Sequence, residues 1–265
     1  MKYFIVSDVH AYYSILRRTL DEKGFSPDED HTLVLLGDAF DRGDETKETA
    51  DFLLSLHKKG KLIYIQGNHE DLLVKCLQQI AGGTDPMDIA ISYHATNGTW
   101  KTLLDLAGMT ATQAIYRPNL LVSRVMDSRV YKDLLAACVN YYETDRYIFV
   151  HGYIPCIQHG RTPYAPCTYD PAWREASPDA WQKARWYNGM ELAMEEKIRE
   201  AGKTIVCGHW HTSASHSKYE HKGREWGPTA DFSPFYSPDG AVIGIDACTA
   251  YSHTVNCLVL DEEEL

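Results

Sequence analysis

Continuous apolar runs rich in β-branched residues recur along this chain, and they constrain its fold more than any other feature. Each run is apolar throughout, which is typical of strands covered on both faces. Helix-like segments at 14–24 and 46–60 separate the first three runs, and both close at a glycine. The pattern predicts a layered α/β core that opens β-α-β-α-β. The runs are "YFIVSD" (3–8), "TLVLLGD" (32–38), "KLIYIQGN" (61–68), "YIFVHG" (147–152) and "TIVCGHWH" (204–211).

The other segments are interpreted around this core as parts of one domain over residues 1–265. Several helical patterns between the third and fourth runs predict a helical cap inserted at about 71–145. Two late runs, "AVIGIDA" at 241–247 and "TVNCLVL" at 254–260, predict a hairpin that finishes the sheets.

A second insertion, of a helix and a loop, is predicted at about 153–202. Ser177 is its candidate N-cap and Pro178 its first helical position, and the helix is expected to run to Gly202. Residues 213–240 are polar and aromatic and are predicted to form a long loop of the kind that often carries function.

The charge balance limits the classes of partner. The chain has 26 Lys and Arg against 37 Asp and Glu, a formal net charge of -11. Broad binding to nucleic acid or to anionic membrane requires clustered cations, so neither is expected. No run of about 18 apolar residues exists, and the N-terminus turns polar too soon for a secretory signal. The chain is therefore predicted to be cytoplasmic.

The cysteine and histidine content indicates which metal chemistry to expect. Seven widely spaced cysteines without a CxxC motif fit reduced thiols better than disulfides or a cysteine zinc site. Twelve histidines make nitrogen and oxygen ligands the more promising chemistry.

Residue types that bind metals follow each of the five runs at its C-terminal edge. Ligands of open α/β sheets bind beyond the carboxyl ends of the strands, so side chains far apart in sequence can converge there. Each motif alone has an ordinary alternative, such as a cap, a turn or a buried histidine. Five such edges in succession favour one shared site. The candidates are Asp8, His10, Asp38, Asn68, His69, His151, His209 and His211.

This mixture of carboxylate, amide and imidazole groups suits two divalent metal ions. Two ions about 3.5–4 Å apart can clamp the attacking and leaving oxygens of a phosphoryl displacement. Mixed oxygen and imidazole ligands favour Mn, Fe, Zn or related ions over thiolate-bound metals. Asp38, directly behind a buried run, is the candidate for a bridging carboxylate. The alternative for the stretch "VLLGDAFDRGDE" is a solvated turn.

The ordered motifs "SDVH" (7–10), "GDAFDRG" (37–43), "GNHE" (67–70), "VHG" (150–152) and "GHWH" (208–211) resemble those of the calcineurin-like metallophosphoesterases. The block G-D-x-x-D-R-G resembles in particular the branch of bacterial serine/threonine protein phosphatases and symmetrical diadenosine tetraphosphate hydrolases. The resemblance implies an α/β fold with a central β-sandwich flanked by helices and an inserted helical cap. It also implies two divalent metal ions, with Mn expected and Fe, Zn, Co or Ni as alternatives.

The resemblance further implies roles for single residues. A hydroxide that bridges the metals would attack phosphorus, and His69, oriented by Asp41, would protonate the leaving oxygen. Arg42 would hold phosphate oxygens, with Arg185 as the candidate second arginine. Structural alternatives are a pair of Arg42 with Asp41 or Asp44, and a solvated helix position for Arg185. One metal would be held by Asp8, His10, Asp38 and, in the wider family's pattern, His211; the other would be held by Asp38, Asn68, His151 and His209.

Three functions compete. The favoured one is a phosphomonoesterase of protein phosphatase type, acting on a phosphorylated protein or a small phosphate ester. The alternative is a symmetrical hydrolase of dinucleoside polyphosphates, in which aromatic residues of 213–240 would stack on a base. A non-catalytic metal-binding scaffold is the third, and the presence of both His69 and Asp41 argues against it. The sequence does not indicate an oligomeric state.

Overall fold

The computed structural model describes residues 1–160, 162 and 165–264 and contains two sheets packed face to face. The strands are β1 (Lys2–Val6), β2 (His31–Leu35), β3 (Leu62–Tyr64), β4 (Tyr142–Glu143), β5 (Tyr147–Phe149), β6 (Cys156–Gln158), β7 (Cys167–Tyr169), β8 (Thr204–Cys207), β9 (Phe235–Tyr236), β10 (Val242–Gly244) and β11 (Cys257–Asp261). The α-helices are α1 (Tyr13–Glu22), α2 (Thr46–Lys58), α3 (Asn68–Ala81), α4 (Pro86–Ala90), α5 (Tyr93–Thr96), α6 (Thr99–Ala107), α7 (Ala111–Tyr116), α8 (Pro118–Asp127), α9 (Pro178–Ala184), α10 (Gly189–Met194), α11 (Thr212–Tyr219) and α12 (Thr249–Ser252).

The strand order sets where the loops emerge. The first sheet has the order β11-β1-β2-β3, with β1, β2 and β3 parallel and β11 antiparallel at the edge. The second has the order β4-β5-β8-β10-β9, with β5, β8 and β10 parallel between antiparallel edge strands. Three parallel strands in each sheet therefore present their carboxyl ends together, and β6 and β7 form a separate ribbon.

Successive residues of the central strands face different layers. Tyr3 and Ile5 of β1 pack between the two sheets, whereas Phe4 and Val6 pack beneath the helices on the other side. Phe149 of β5 joins the inner layer. Because both faces of each central strand are covered, the strands read as continuous apolar runs, which confirms that prediction.

Helices complete the outer layers. Leu16 of α1 and Leu53 of α2 are fully buried against the first sheet, while Trp181 of α9 and Met190 of α10 are buried against the second. Helices α3 to α8 share an apolar core of their own, which includes Leu103. The predicted β-sandwich flanked by helices, with helices inserted between the third and fourth runs, is confirmed.

The predicted hairpin between 241–247 and 254–260 is wrong. Strand β10 pairs with β8 and β9 in the second sheet, whereas β11 pairs with β1 in the first. The short helix α12 lies between them, so the chain crosses from one sheet to the other. Apolar runs of similar length do not reveal which partner strand each will take.

The helix predicted to run from Pro178 to Gly202 is broken. Ser177 does cap its start, since its hydroxyl accepts a hydrogen bond from Ala180 N, but α9 ends at Ala184. Arg185 turns into a buried polar cluster, and Asn188 then caps α10 by accepting a hydrogen bond from Glu191 N. These tertiary contacts override a continuous helical pattern.

The predicted loop 213–240 begins as a helix and ends as a strand, since it contains α11 and β9. No helix in the described part of the chain is both long and apolar enough to cross a membrane.

Candidate functional site

The loops that follow the parallel strands meet at one end of the sandwich. They line a cavity of about 250 Å³, closed on one side by Tyr93 and Asn97 of the helical insertion. His151 is buried within 3.4 Å of Asp38. The predicted convergence is therefore present in the structure, and the candidate residues lining the cavity are Asp8, His10, Asp38, Arg42, Asn68, His69, His209 and His211.

The backbone of these loops is held in a left-handed conformation that non-glycine residues rarely adopt. Such residues cost about 1–3 kcal/mol each and persist where surrounding structure fixes them. Cross-loop hydrogen bonds do so here, since His10 N donates to Asp38 O at 2.9 Å and Ala11 N donates to Ala39 O at 2.8 Å. The φ angles are 51° at Asp8, 52° at His10, 54° at Asp38, 73° at Asp41, 62° at Arg42 and 65° at His209.

A glycine lets two of the loops approach closely. Gly37 has φ +86°, and a Cβ there would lie 2.6 Å from Gly67 Cα and 2.7 Å from His151 Nδ1. A side chain at this position would therefore push apart the loops that carry the candidate ligands.

Asp38 lies at the centre of two ligand groups. Its Oδ2 is 3.8 Å from His10 Nε2 and 3.9 Å from His69 Nε2, and its Oδ1 is 3.4 Å from His151 Nε2. Ligand atoms of His10, Asp38 and His69 lie within 4.8 Å of one another, and so do those of Asp38, His151 and His209. Most of these separations are too long for hydrogen bonds and suit atoms that share an ion.

Two imidazoles are oriented by backbone carbonyls. His10 Nδ1–H donates to Phe40 O at 3.0 Å, and His151 Nδ1–H donates to Leu36 O at 2.6 Å. Both rings therefore turn Nε2 toward Asp38, which is the outer hydrogen-bonding pattern of metal-binding histidines. Asn68 Oδ1 lies 2.8 Å from His151 Nε2, so it faces the same position.

The protonation states of the candidate ligands also favour the binding of cations. Burial, together with the nearby His69 and Arg42, lowers the pKa of His10 well below its usual value, and burial beside His151 does the same for the pKa of His209. Neutral imidazole is the form that binds metals. Burial and the Asp8 carboxylate raise the pKa of Asp38 well above its usual value, a repulsion that a bound cation would relieve. The donor set therefore fits two divalent ions.

His69 belongs to a buried chain of hydrogen bonds. Its Nδ1–H donates to Asp41 Oδ2 at 2.7 Å, and the Asp41 carboxylate also accepts from Thr99 Oγ1 at 2.7 Å and Thr102 Oγ1 at 2.6 Å. Burial alone would lower the pKa of His69, but the carboxylates of Asp38 and Asp41 outweigh it and raise that pKa. Both threonines lie on α6, so the helical insertion fixes this pair.

Arg42 extends into the cavity from the same loop. Its Nη2 lies 3.4 Å from His69 Nε2. Asp41 is engaged by His69 and the threonines, and Asp44 lies 3.5 Å from Lys101. Within the described residues, no ion pair includes Arg42, so the structural alternative of a pair with Asp41 or Asp44 is not what the structure places there.

Asp8 and His211 line the cavity but stand outside the two ligand groups. Asp8 Oδ2 accepts hydrogen bonds from the Ser7 hydroxyl and from His209 N, the latter at 2.9 Å. His211 Nδ1 is 2.9 Å from Ser213 Oγ, and its Nε2 is 3.4 Å from Glu225 Oε1. His69 is the third member of the group that contains His10 and Asp38, and its ring centroid lies 4.7 Å from that of His10.

Arg185 does not line the cavity. Its guanidinium is buried and donates to Asp71 Oδ2 at 2.8 Å, to Gln66 Oε1 at 3.1 Å and to Asn140 Oδ1 at 2.6 Å. It therefore occupies neither of the two positions expected for it, a phosphate contact or a solvated helix face. Its position ties α9 to the loop after β3 and to α3.

Glu70 is a positioning residue that the sequence analysis missed. Its buried carboxylate accepts from Asp38 N at 2.9 Å, Gly67 N at 2.8 Å, Ala39 N at 3.1 Å and Tyr64 Oη at 2.7 Å. The acceptance from Gly67 N is half of a capping box, so an acid three residues into a helix was the available signal.

Asp246 and two tryptophans, Trp186 and Trp210, were also missed, whereas Trp226 lies in the aromatic segment 213–240 that was expected to stack on a base. Asp246 follows β10 in the same way that Asp38 follows β2, and it lines the cavity. Burial and the Asp8 carboxylate raise its pKa well above the usual value. Trp186, Trp210 and Trp226 line the cavity while remaining 40–46% exposed. Exposed large aromatic residues around a polar cavity often mark a binding surface.

The chain is similar to known phosphatases. The model of the calcineurin-like phosphoesterase family matches residues 1–213. The asymmetrical bis(5′-nucleosyl)-tetraphosphatase PrpE of Bacillus velezensis is 33% identical over 85 residues, which cover 29% of this chain and 34% of that protein. Serine/threonine-protein phosphatase 2 of Salmonella typhimurium is 37% identical over 75 residues, which cover 28% of this chain and 32% of that protein.

These alignments with curated relatives thus span about a third of each relative's length. Among solved structures, the cold-active protein-tyrosine phosphatase of a psychrophilic Shewanella superposes with a TM-score of 0.51. Its sequence is 16% identical, and the match covers 98% of this chain and 75% of that one. That likeness shows a shared fold. Together with the family match over residues 1–213, it leads to one conclusion: the chain belongs to the calcineurin-like phosphoesterase family.

Proposed function

We propose that this chain hydrolyses phosphate esters with two divalent metal ions held around Asp38. The observation that carries the proposal is the position of Asp38, whose two carboxylate oxygens face two separate groups of imidazoles. His10 and Asp38, with Asp8, would hold one ion, and Asp38, Asn68, His151 and His209 would hold the other. Oxygen and imidazole donors suit Mn, Fe, Zn, Co and Ni, and the family resemblance favours Mn among them.

When bound, the two ions would supply a water of lowered pKa and neutralise charge on the phosphate. Hydrolysis forms a P–O bond to the oxygen of water and breaks the P–O bond to the leaving group, whose oxygen takes up a proton. His69 is placed to deliver that proton, since Nδ1–H is held by Asp41 and Nε2 faces the cavity. A raised pKa keeps the ring protonated closer to neutral pH.

Arg42 would bind the phosphate oxygens. It lines the cavity beside His69 and has no carboxylate partner among the described residues, so its guanidinium is available to an anion. Its planar donors match two phosphate oxygens at once. Arg185, bound to Asp71, is given no such role.

The substrate class is the finer question. The motifs favour a phosphate monoester of the protein phosphatase type, with a dinucleoside polyphosphate as the alternative. The two curated relatives are named for these two substrate classes. The Salmonella protein is named a serine/threonine-protein phosphatase, and the Bacillus protein is named an asymmetrical bis(5′-nucleosyl)-tetraphosphatase. Either substrate would place a phosphate between Arg42 and the proposed metals.

Two substitutions test the proposal. Asp38→Asn is expected to lower the affinity for both Mn ions, because one carboxylate faces both groups. His69→Asn is expected to keep Mn bound and to lose about 100-fold or more in turnover of an alkyl phosphate, which needs a protonated leaving oxygen. Mn content and phosphate release are measured on the same folded samples.

The proposal fails if the wild-type chain, folded and loaded with Mn, releases no phosphate from alkyl or aryl phosphates. The assignment of His69 fails separately if His69→Asn keeps the full rate on an alkyl phosphate. Tyr116→Ala is the matched control, since that side chain is 82% exposed on α7 and lines no part of the cavity.

A further inference from the structure

Trp186 separates two cavities. One is the cavity with the candidate metal ligands, and the other is a neighbouring cavity of about 590 Å³ between α3 and α9. The indole is 42% exposed, and its ring lies 5.6 Å from the ring of His209, edge-on at 81°. A planar group resting on Trp186 would therefore lie next to a phosphate in the metal cavity.

Trp186 has an unstacked ring. The described residues place no aromatic ring parallel to it, whereas Trp210 is already stacked on His211 at 13° and Trp226 contacts both His211 and Tyr251. Of the three exposed tryptophans, Trp186 is thus the one whose ring is left for a ligand. Stacking on a nucleobase is sequence-tolerant because every base has a π face.

The cavity beyond Trp186 is cationic. Lys75 of α3 and Lys183 of α9 are exposed along its wall and form no ion pair with any described residue, while the Asp71 carboxylate is neutralised by Arg185. Gln78 and Gln182 add amide groups that can bind the polar edge of a base. The cavity size falls within the usual range for a small-molecule site.

The opposite side of the metal cavity has different electrostatics. There Trp210 adjoins a cavity that carries Glu191, Glu225 and Lys218. Lys218 is already paired, at 3.0 Å from Glu191 and 2.5 Å from Glu195. A chain of phosphates would be repelled on this side and attracted on the side of Trp186.

We propose that Trp186, Lys75 and Lys183 form a subsite for a nucleoside polyphosphate. The base stacks on Trp186 at the border of the two cavities, the terminal phosphate lies at the metals, and the lysines beyond Trp186 attract the phosphate nearest the base. This subsite rests on the proposed function, because it supplies the substrate for the same metal cavity. It selects nucleotides over phosphorylated proteins, whose phosphoserine carries neither a planar base nor a phosphate chain.

The test compares three substrates at fixed free Mn: ATP, inorganic tripolyphosphate and glycerol 2-phosphate. Trp186→Ala is expected to raise the KM for ATP about 5- to 150-fold, the range for loss of one stacked base, and to leave tripolyphosphate within about 2-fold. Trp186→Phe keeps a ring and should recover most of the loss. Tyr116→Ala is the matched control, because that ring is 82% exposed and lines neither cavity, and its KM for ATP should stay within about 3-fold of wild type.

The lysines are tested with the double variant Lys75→Ala and Lys183→Ala. It should raise the KM for both ATP and tripolyphosphate, because both carry the phosphate chain, and leave glycerol 2-phosphate unchanged. The inference is overturned if Trp186→Ala and Tyr116→Ala change the KM for ATP equally, or if wild type binds ATP no more tightly than tripolyphosphate.

The same experiments distinguish failure of the proposed hydrolase function from failure of the subsite. If wild type hydrolyses none of the three compounds, the hydrolase proposal falls, and calorimetric titration of ATP with Mn into wild type, Trp186→Ala and Trp186→Phe still decides the subsite. If wild type hydrolyses glycerol 2-phosphate but the variants leave ATP binding unchanged, the hydrolase proposal stands and the subsite falls.

Discussion

Glu70→Gln is the most informative single change outside the candidate ligands. One buried carboxylate accepts four hydrogen bonds, from Asp38 N, Ala39 N, Gly67 N and Tyr64 Oη. The glutamine side chain has the same shape but only one accepting oxygen. Its NH₂ group must then face donors that previously met a carboxylate oxygen.

The cost follows from these contacts. With the amide turned toward Tyr64, whose hydroxyl can rotate to accept, one buried N–H, that of Ala39, remains unsatisfied at about 1–3 kcal/mol. The hydrogen bonds from Asp38 N and Gly67 N remain, but their acceptor is now neutral, so each keeps roughly half its strength. The total loss of stability is about 3–5 kcal/mol, or a fall in Tm of about 6–10 °C at roughly 2 °C per kcal/mol.

Thermal unfolding without metal measures this loss, and Mn titration of the folded variant measures its effect on the site. Because Glu70 fixes Asp38 N, the variant should also bind Mn at least about 10-fold more weakly than wild type. Tyr64→Phe is the matched control. It removes only one donor and should cost about 1–2 kcal/mol with Mn affinity nearly unchanged.

A Glu70→Gln variant with wild-type Tm and wild-type Mn affinity would refute the reasoning. A loss of Tm equal to that of Tyr64→Phe would also contradict it, because the backbone amides of the Asp38 loop would then be satisfied without the carboxylate.

Three further predictions concern other contacts. Arg174, together with Lys203, lowers the pKa of Glu143 from 4.5 to about 2. Arg174→Ala should therefore cost about 1 kcal/mol at pH 7, and urea unfolding should show this difference from wild type shrinking as the pH falls from about 4.5 toward 2. A Cβ at Gly208 would overlap Asp8 Oδ2, so Gly208→Ala should bind Mn at least about 10-fold more weakly by titration, whereas Gly82→Ala should not. Removing metal with a chelator should abolish phosphate release, and added Mn should restore it.

The layered fold and the convergence of the site followed from local sequence. Residues such as Asp38 and His209 come directly after buried strands, and parallel strands place their carboxyl ends together, so neither position required knowledge of distant partners. The pairing of β11 with β1 did require it, because 251 or more residues separate the paired positions and the apolar pattern is the same for either sheet.

The position of Arg185 is a second feature that the sequence could not predict. Its place in a helical sequence suited either a phosphate contact or a solvated face, but Asp71 and Asn140 draw it into the interior. Those partners lie 114 and 45 residues away along the chain, so local pattern carries no sign of them. The exposure of Trp186 likewise depends on how α3 and α9 pack.

The central claim is that Asp38 holds two metal ions at once. Metal content of Mn-loaded protein, measured by mass spectrometry after removal of free metal, tests it directly on wild type and Asp38→Asn. The account predicts about two Mn per wild-type chain and loss of both in the variant, because each ligand group contains Asp38. Two Mn retained in folded Asp38→Asn, or a wild-type chain that binds none, would contradict it.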